Sequence, residues 1–302
     1  MRPSTPSGYN APSGGIRGSH RTSEAETNSA GGDADMDQLT RDGVTLFYQD
    51  VGKGAPPLLL VHGLGGDHTC LAPQLEHFRR HHRVVAVDLR GHGQSDKPRQ
   101  DYTIAGYADD LVWLCYELGV YRPVVVGHGL GGMVALATAA SHPDLPAGVV
   151  MLDSPILPPG GTITVRRSLS EEKRGVRDFW DALAQDGEPS SHSCNESTQQ
   201  EALPSTQALS PEYVKESVQQ QVAFWDGVAA VAACKLPLLY IDAGTPNADL
   251  SLLQSICPRL VIGRTVCTGH FLQLEAPEQV NAMIDRFLSV MVSQEVSAVW
   301  NA

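Results

Sequence analysis

The chain has 302 residues and a formal net charge of −12. That acidic balance disfavours nucleic acid and anionic membrane surfaces as partners, and no apolar run is long enough to span a bilayer. The cysteines (Cys70, Cys115, Cys194, Cys234, Cys257, Cys267) lack CxxC or zinc-type spacing, and read as buried thiols in a reducing cytoplasm.

Residues 1–40 read as a disordered tail. Ser, Gly, Pro, Thr, Asn and Ala dominate there, and such a segment cannot bury enough surface to offset its ordering entropy. Arg2, Arg17 and Arg21 precede the first acid, Glu24, as in a transit peptide, but Pro and Gly oppose an amphipathic targeting helix. Val44 to Asp50 alternates apolar and polar, as an edge hairpin strand does. Pro57 to Val61 and Arg83 to Leu89 are short apolar runs, the pattern of buried parallel strands. Leu71 to His81 is helical. Tyr102 to Leu118 has helical spacing, with Thr103 as N-cap and Gly119 as the stop. A strand over 123–127 leads into a helix over 130–141, and Gly148 to Asp153 is the next strand.

Residues 155–235 change character. Pro158-Pro159-Gly160-Gly161 opens a polar, helix-leaning insertion that reads as a lid. Phe179-Trp180-Asp181 recurs as Phe224-Trp225-Asp226, either facing a pocket or burying aromatics of amphipathic lid helices on the core. Leu236 to Asp242 and Leu260 to Val266 read as strands and Pro277 to Val292 as a final amphipathic helix, with residues 294–302 a C-terminal tail. Strands alternating with helices demand an α/β fold, a mostly parallel twisted sheet covered on both faces. Its core comprises residues 41–154 and 236–293, and the lid is inserted after the strand ending at Asp153.

The most informative stretch is Gly127-His128-Gly129-Leu130-Gly131-Gly132. It has the frame of a nucleophile elbow, G-x-S-x-G between a strand and a helix, with glycine where the serine should be. The order of motifs resembles the α/β-hydrolase family: His62-Gly63-Leu64-Gly65-Gly66 after one strand, Arg90-Gly91-His92-Gly93-Gln94-Ser95-Asp96 after the next, then the elbow, the lid, and Gly269-His270 before the last helix. The resemblance covers roughly residues 44–292.

Residue by residue, that resemblance implies an oxyanion hole from the N–H groups of Leu64 and Leu130, with Gly129 at the nucleophile position. It makes His270 the general base. The family's usual acid position after Gly244 holds Asn247, so the resemblance points to Asp153, at the end of the strand after the elbow helix, as the acid, with Asp249 as the alternative and Asp242 at a strand end. His62, His128 and Ser95 are poor substitutes for a nucleophile, since none sits at the elbow tip.

Four readings follow, the hydrolase preferred and the others as alternatives to it. The chain is a hydrolase of a small apolar carbonyl compound (ester, lactone or C–C-cleavable ketone) whose nucleophile has been replaced. It is a nucleophile-independent His–Asp base enzyme, of the cofactor-free dioxygenase or lyase type. It directs water through His270. Or it is a non-catalytic ligand binder. No cofactor and no metal are implied. The elbow formally matches the dinucleotide signature G-x-G-x-x-G, with Asp153 near the expected acid, but the upstream and downstream motifs oppose that reading. His81-His82 is too close in sequence for both rings to share a metal on one helix face.

Overall fold

The computed structural model describes residues 36–156, 162–167, 170–175, 210–244, 248–257 and 259–292. Its centre is a set of short, wholly buried strands: β3 (Leu58–Val61), β4 (Val84–Val87), β5 (Val124–His128), β6 (Gly148–Leu152) and β9 (Leu238–Asp242). With β1 (Asp37–Arg41), β2 (Val44–Val51) and β10 (Leu260–Arg264) they form one sheet, ordered β1-β2-β4-β3-β5-β6-β9-β10. The β1–β2 and β2–β4 pairs are antiparallel and the remaining pairs parallel.

Alternation along these strands divides the core in two. Leu59, Val61, Val125, Val149 and Met151 face the side covered by α2 (Ile104–Leu118) and α3 (Leu130–Ser141). Leu58, Leu60, Val124, Val126 and Val150 face α1 (Ala72–Phe78) and the helix Pro277–Phe287. Burying both faces makes the strands read as continuous apolar runs rather than alternating ones. Helix α2 has the ends its sequence announced. Thr103 accepts a hydrogen bond from the Gly106 N–H at 2.9 Å, and Gly119 closes the helix in the left-handed region.

Two expectations need correction. The first strand begins at Asp37, inside the stretch expected to be tail, because the turn Asp42-Gly43 (φ 52° and 78°) folds β1 back onto β2. The insertion, expected to be helical, contains an antiparallel hairpin, β7 (Thr162–Arg167) with β8 (Ser170–Gly175). It also carries α4 (Glu212–Phe224) and α5 (Gly227–Ala233). Helix α4 docks on the loop after β4: the Ser210 hydroxyl donates to the Gly91 carbonyl and the Tyr213 hydroxyl to that of Lys97. Of the repeated aromatic motif, Phe224 is exposed, Trp225 packs against the core and Asp226 caps α5. Phe179-Trp180-Asp181, Asn247, Cys194 and the two terminal tails up to residue 35 and from 293 lie outside the described residues. Cys70, Cys115, Cys234 and Cys257 are buried and outside any disulfide, as expected, but Cys267 is disulfide-bonded. Among the described residues no helix is long and apolar enough to cross a membrane.

Candidate active site

The elbow forms where β5 meets α3. Gly129 sits between them at φ 52°, ψ −114°, backbone that L side chains rarely adopt. Its N–H donates to the Leu152 carbonyl at 3.0 Å, and its own carbonyl accepts from Gly132 at 3.2 Å. The first turn of α3 is pressed onto the end of β3. A Cβ on Gly131 would lie 2.1 Å from the Val61 carbonyl oxygen and 2.6 Å from that of His62. Only glycine permits that approach. In the β3–β5 register Val61 pairs with Gly127. Leu64 and Leu130 are equally displaced along the chain from that pair, one past each strand end.

Asp153 directly follows β6, with its N–H donated to the Ile241 carbonyl at 2.8 Å and a positive φ of 43°. The Nδ1–H of His270 donates to its Oδ2 at 2.8 Å. Both side chains are largely buried, 10% and 5% exposed. Donation through Nδ1 selects the tautomer in which Nε2 carries the lone pair, the arrangement of a general base oriented by an acid. The loop bearing His270 is itself anchored, since the Gly269 N–H donates to a Glu275 carboxylate oxygen at 2.7 Å. Burial pushes the Glu275 carboxyl above its ordinary range, opposed by that N–H and by His270.

Of the two candidate acids, the structure brings Asp153 to His270. Asp249 is exposed and occupied elsewhere: it caps α6 (Leu250–Ile256), accepting from the Leu252 N–H at 3.0 Å. Asp242 is also spoken for, accepting from Arg264 Nε at 2.9 Å and from the Gly244 N–H at 2.6 Å. Ser95 is structural, its hydroxyl donating to the Asp88 carbonyl at 2.6 Å while accepting from the Phe47 N–H at 2.9 Å.

The loops beside the elbow are held by buried polar groups. His62 donates from Nδ1 to the Gly63 carbonyl at 2.7 Å and accepts from the Leu89 N–H at Nε2 at 3.0 Å. Both ring nitrogens are thus used by a neutral imidazole, and burial lowers its pKa accordingly. His92 donates to the Arg90 carbonyl at 3.1 Å; burial, with His62 beside it, pushes its pKa down to about 3. Asp88 accepts from the backbone and Nδ1 of His68, each at 2.8 Å, and from the Gln94 N–H at 2.7 Å. Burial alone would raise the Asp88 carboxyl, but His68, His62 and Gln94 together hold it below the usual range. Asp88 was not picked out from the sequence; a buried carboxylate at the end of an otherwise apolar strand was the available signal. Among the described residues no grouping of His, Cys, Asp and Glu is arranged to hold a metal ion.

A family description, alpha/beta hydrolase fold, matches residues 56–223. The chain belongs to the α/β-hydrolase fold family. It is similar to the 2-(acetamidomethylene)succinate hydrolase of Mesorhizobium japonicum, 36% identical over 110 residues, covering 36% of this chain and 39% of that protein. It is also similar to epoxide hydrolase 3 of Xenopus tropicalis, 35% identical over 132 residues, covering 43% and 36%. The matched region thus spans only about two-fifths or less of these relatives' lengths. Among solved structures, Est816, an N-acyl homoserine lactone degrading enzyme, superposes with a TM-score of 0.67 at 25% identity, over 83% of this chain and all of that one. In this α/β-hydrolase Gly129 stands between β5 and α3.

Proposed function

We propose that this α/β-hydrolase carries the apparatus for hydrolysing a small apolar carbonyl compound, an ester, lactone or C–C-cleavable ketone, with Gly129 standing at the nucleophile's position. The observation that carries the reading is the 2.8 Å hydrogen bond from His270 Nδ1 to Asp153 Oδ2. In a nucleophile–His–Asp mechanism the nucleophile attacks, histidine moves its proton, and the acid fixes the tautomer and stabilises the imidazolium. The N–H groups of Leu64 and Leu130 would receive the developing oxyanion, Leu130 with the help of the α3 dipole. Without a hydroxyl at 129 the covalent route is closed. What remains is the residual rate of oxyanion hole and binding, on the order of a thousandfold to ten-thousandfold over water. Relatives named for hydrolysis of 2-(acetamidomethylene)succinate and for degrading N-acyl homoserine lactones support a carbonyl substrate.

A second reading is favoured by one observation: the His270–Asp153 pair is complete without any side chain at 129. Such a pair serves a nucleophile-independent enzyme that deprotonates its substrate and holds the anion in the same N–H groups. A paired assay separates the two. The chain as it stands and Gly129→Ser are compared on short-chain p-nitrophenyl esters and small lactones. Restoring a missing triad serine is expected to give a burst and a gain in kcat on the order of ten-thousandfold or more. A folded serine variant with no gain overturns the hydrolase reading and leaves base chemistry or ligand binding.

A further inference from the structure

We propose that His128, the residue preceding the elbow tip, is a positioning residue for the His270–Asp153 pair. The inference rests on reading that pair as the site's acid and base. His128 is 1% exposed. Its Nε2 lies 2.9 Å from the backbone carbonyl oxygen of His270. A carbonyl only accepts, so Nε2 must carry the proton. Its Nδ1 is buried without a partner among the described residues, so no competing hydrogen bond turns the ring. The ring centroids of His128 and His270 are 4.4 Å apart, and the Phe271 ring lies 5.3 Å from His128. His128 therefore holds His270 twice, by its backbone and by its ring.

The sheet explains why this matters to the acid. In the β5–β6 register His128 pairs with Leu152, the residue before Asp153. The strand position of the acid and that of His128 are locked side by side by the ladder. The Nε2–H then ties the backbone of the His270 loop to that same point, beside the side-chain bond to Asp153. On the opposite edge of the ring, a Cβ on Gly63 would lie 2.9 Å from His128 Nδ1, so the loop after β3 packs there. One imidazole thus sets three segments in register: the base loop, the acid's strand and the Gly63 loop. A neutral ring is what this geometry requires, and burial, with His270 beside it, holds the His128 pKa well below its ordinary value.

The test needs no turnover. A proton shared between His270 Nδ1 and a carboxylate gives a resolved signal far downfield of the amide envelope, read by proton NMR of the full chain at pH 7. It is recorded for the unmodified protein, His128→Leu and His128→Gln. Glutamine carries an N–H donor at about the reach of Nε2; leucine fills the space without one. The expected result is a signal in the unmodified chain, lost in His128→Leu and retained in His128→Gln. An undiminished signal in a folded His128→Leu overturns the positioning role while leaving the pair intact. No signal in the unmodified chain overturns the pair itself, and this proposal with it. Should the leucine variant not fold, nitrogen NMR of histidine-labelled unmodified protein decides: Nε2–H at His128 supports the assignment, and Nδ1–H overturns it.

Discussion

Gly129→Ser should make the protein less stable while giving it a reaction. Residue 129 has φ 52° and ψ −114°. Holding an L residue in such sparsely populated backbone costs about 1–3 kcal/mol. Losing glycine's freedom in the unfolded chain returns about 0.4–1 kcal/mol. Taken near the middle of each range, the net loss is about 1–2 kcal/mol. For a domain of this size each kcal/mol lowers Tm by about 2–4 °C, so a fall of about 2–8 °C is expected. Urea unfolding, followed by tryptophan fluorescence and far-UV circular dichroism, measures the same loss as a lower midpoint at unchanged slope. A serine variant as stable as the glycine chain, or more so, would refute the reasoning. The turn at 129 would then not be strained, and the absence of a side chain would have no structural benefit to set against the lost chemistry.

Other perturbations test the frame around the site. Gly131→Ala drives a Cβ to 2.1 Å from the Val61 carbonyl oxygen, in backbone that cannot yield. It should cost about 3 kcal/mol, and a chemical-denaturation difference below 1 kcal/mol would show that the elbow and β3 are not pressed together. Tyr107 is buried with a hydroxyl that has no partner among the described residues. Tyr107→Phe should leave stability unchanged or raise it by about 1 kcal/mol, and a clear loss in a thermal melt would mean that the hydroxyl is satisfied. His62, His92 and His128 all have lowered pKa values in the fold. The unfolded chain therefore binds more protons below the ordinary histidine range near 6.5. The stability they contribute is full above that range and falls as pH drops toward their folded values, about 3 for His92. Each adds about 1 kcal/mol per pH unit to the slope. Urea midpoints at pH 7, 6 and 5 check this, and a flat profile between pH 7 and 5 would contradict it.

Much of this architecture was legible because its signals are local. Fully apolar runs such as Leu58–Val61 identify strands buried on both faces, and Thr103 and Gly119 bracket α2 as caps do. His270 and Gly129 were readable because motifs announce them. For the acid, the sequence favours Asp153 over Asp249 only by its place directly after a strand. Asp153 and Asp249 both follow strands in acceptable places, and only the fold shows one carboxylate meeting His270 and the other capping α6. The hairpin β7–β8 has a weak local signal: Ile163 and Val165 alternate with threonines on one strand, but its partner Ser170–Gly175 contains only polar and charged residues and glycine. His128 was dismissed as a nucleophile, and its tie to His270 spans 142 residues of chain, beyond any local pattern. The signal that could have raised it is a histidine inside a wholly apolar strand, where a polar ring needs a partner.

The close seating of α3 on β3 has an evolutionary consequence. Because Gly131 against Val61, rather than any side chain at 129, locks the strand to the helix, a serine at the tip strains the turn without unseating it. Some glycine and serine codons differ by one base. Catalytic competence at such a seat can be lost or regained in a single mutational step without rebuilding the scaffold, and selection on the fold alone would favour the glycine form.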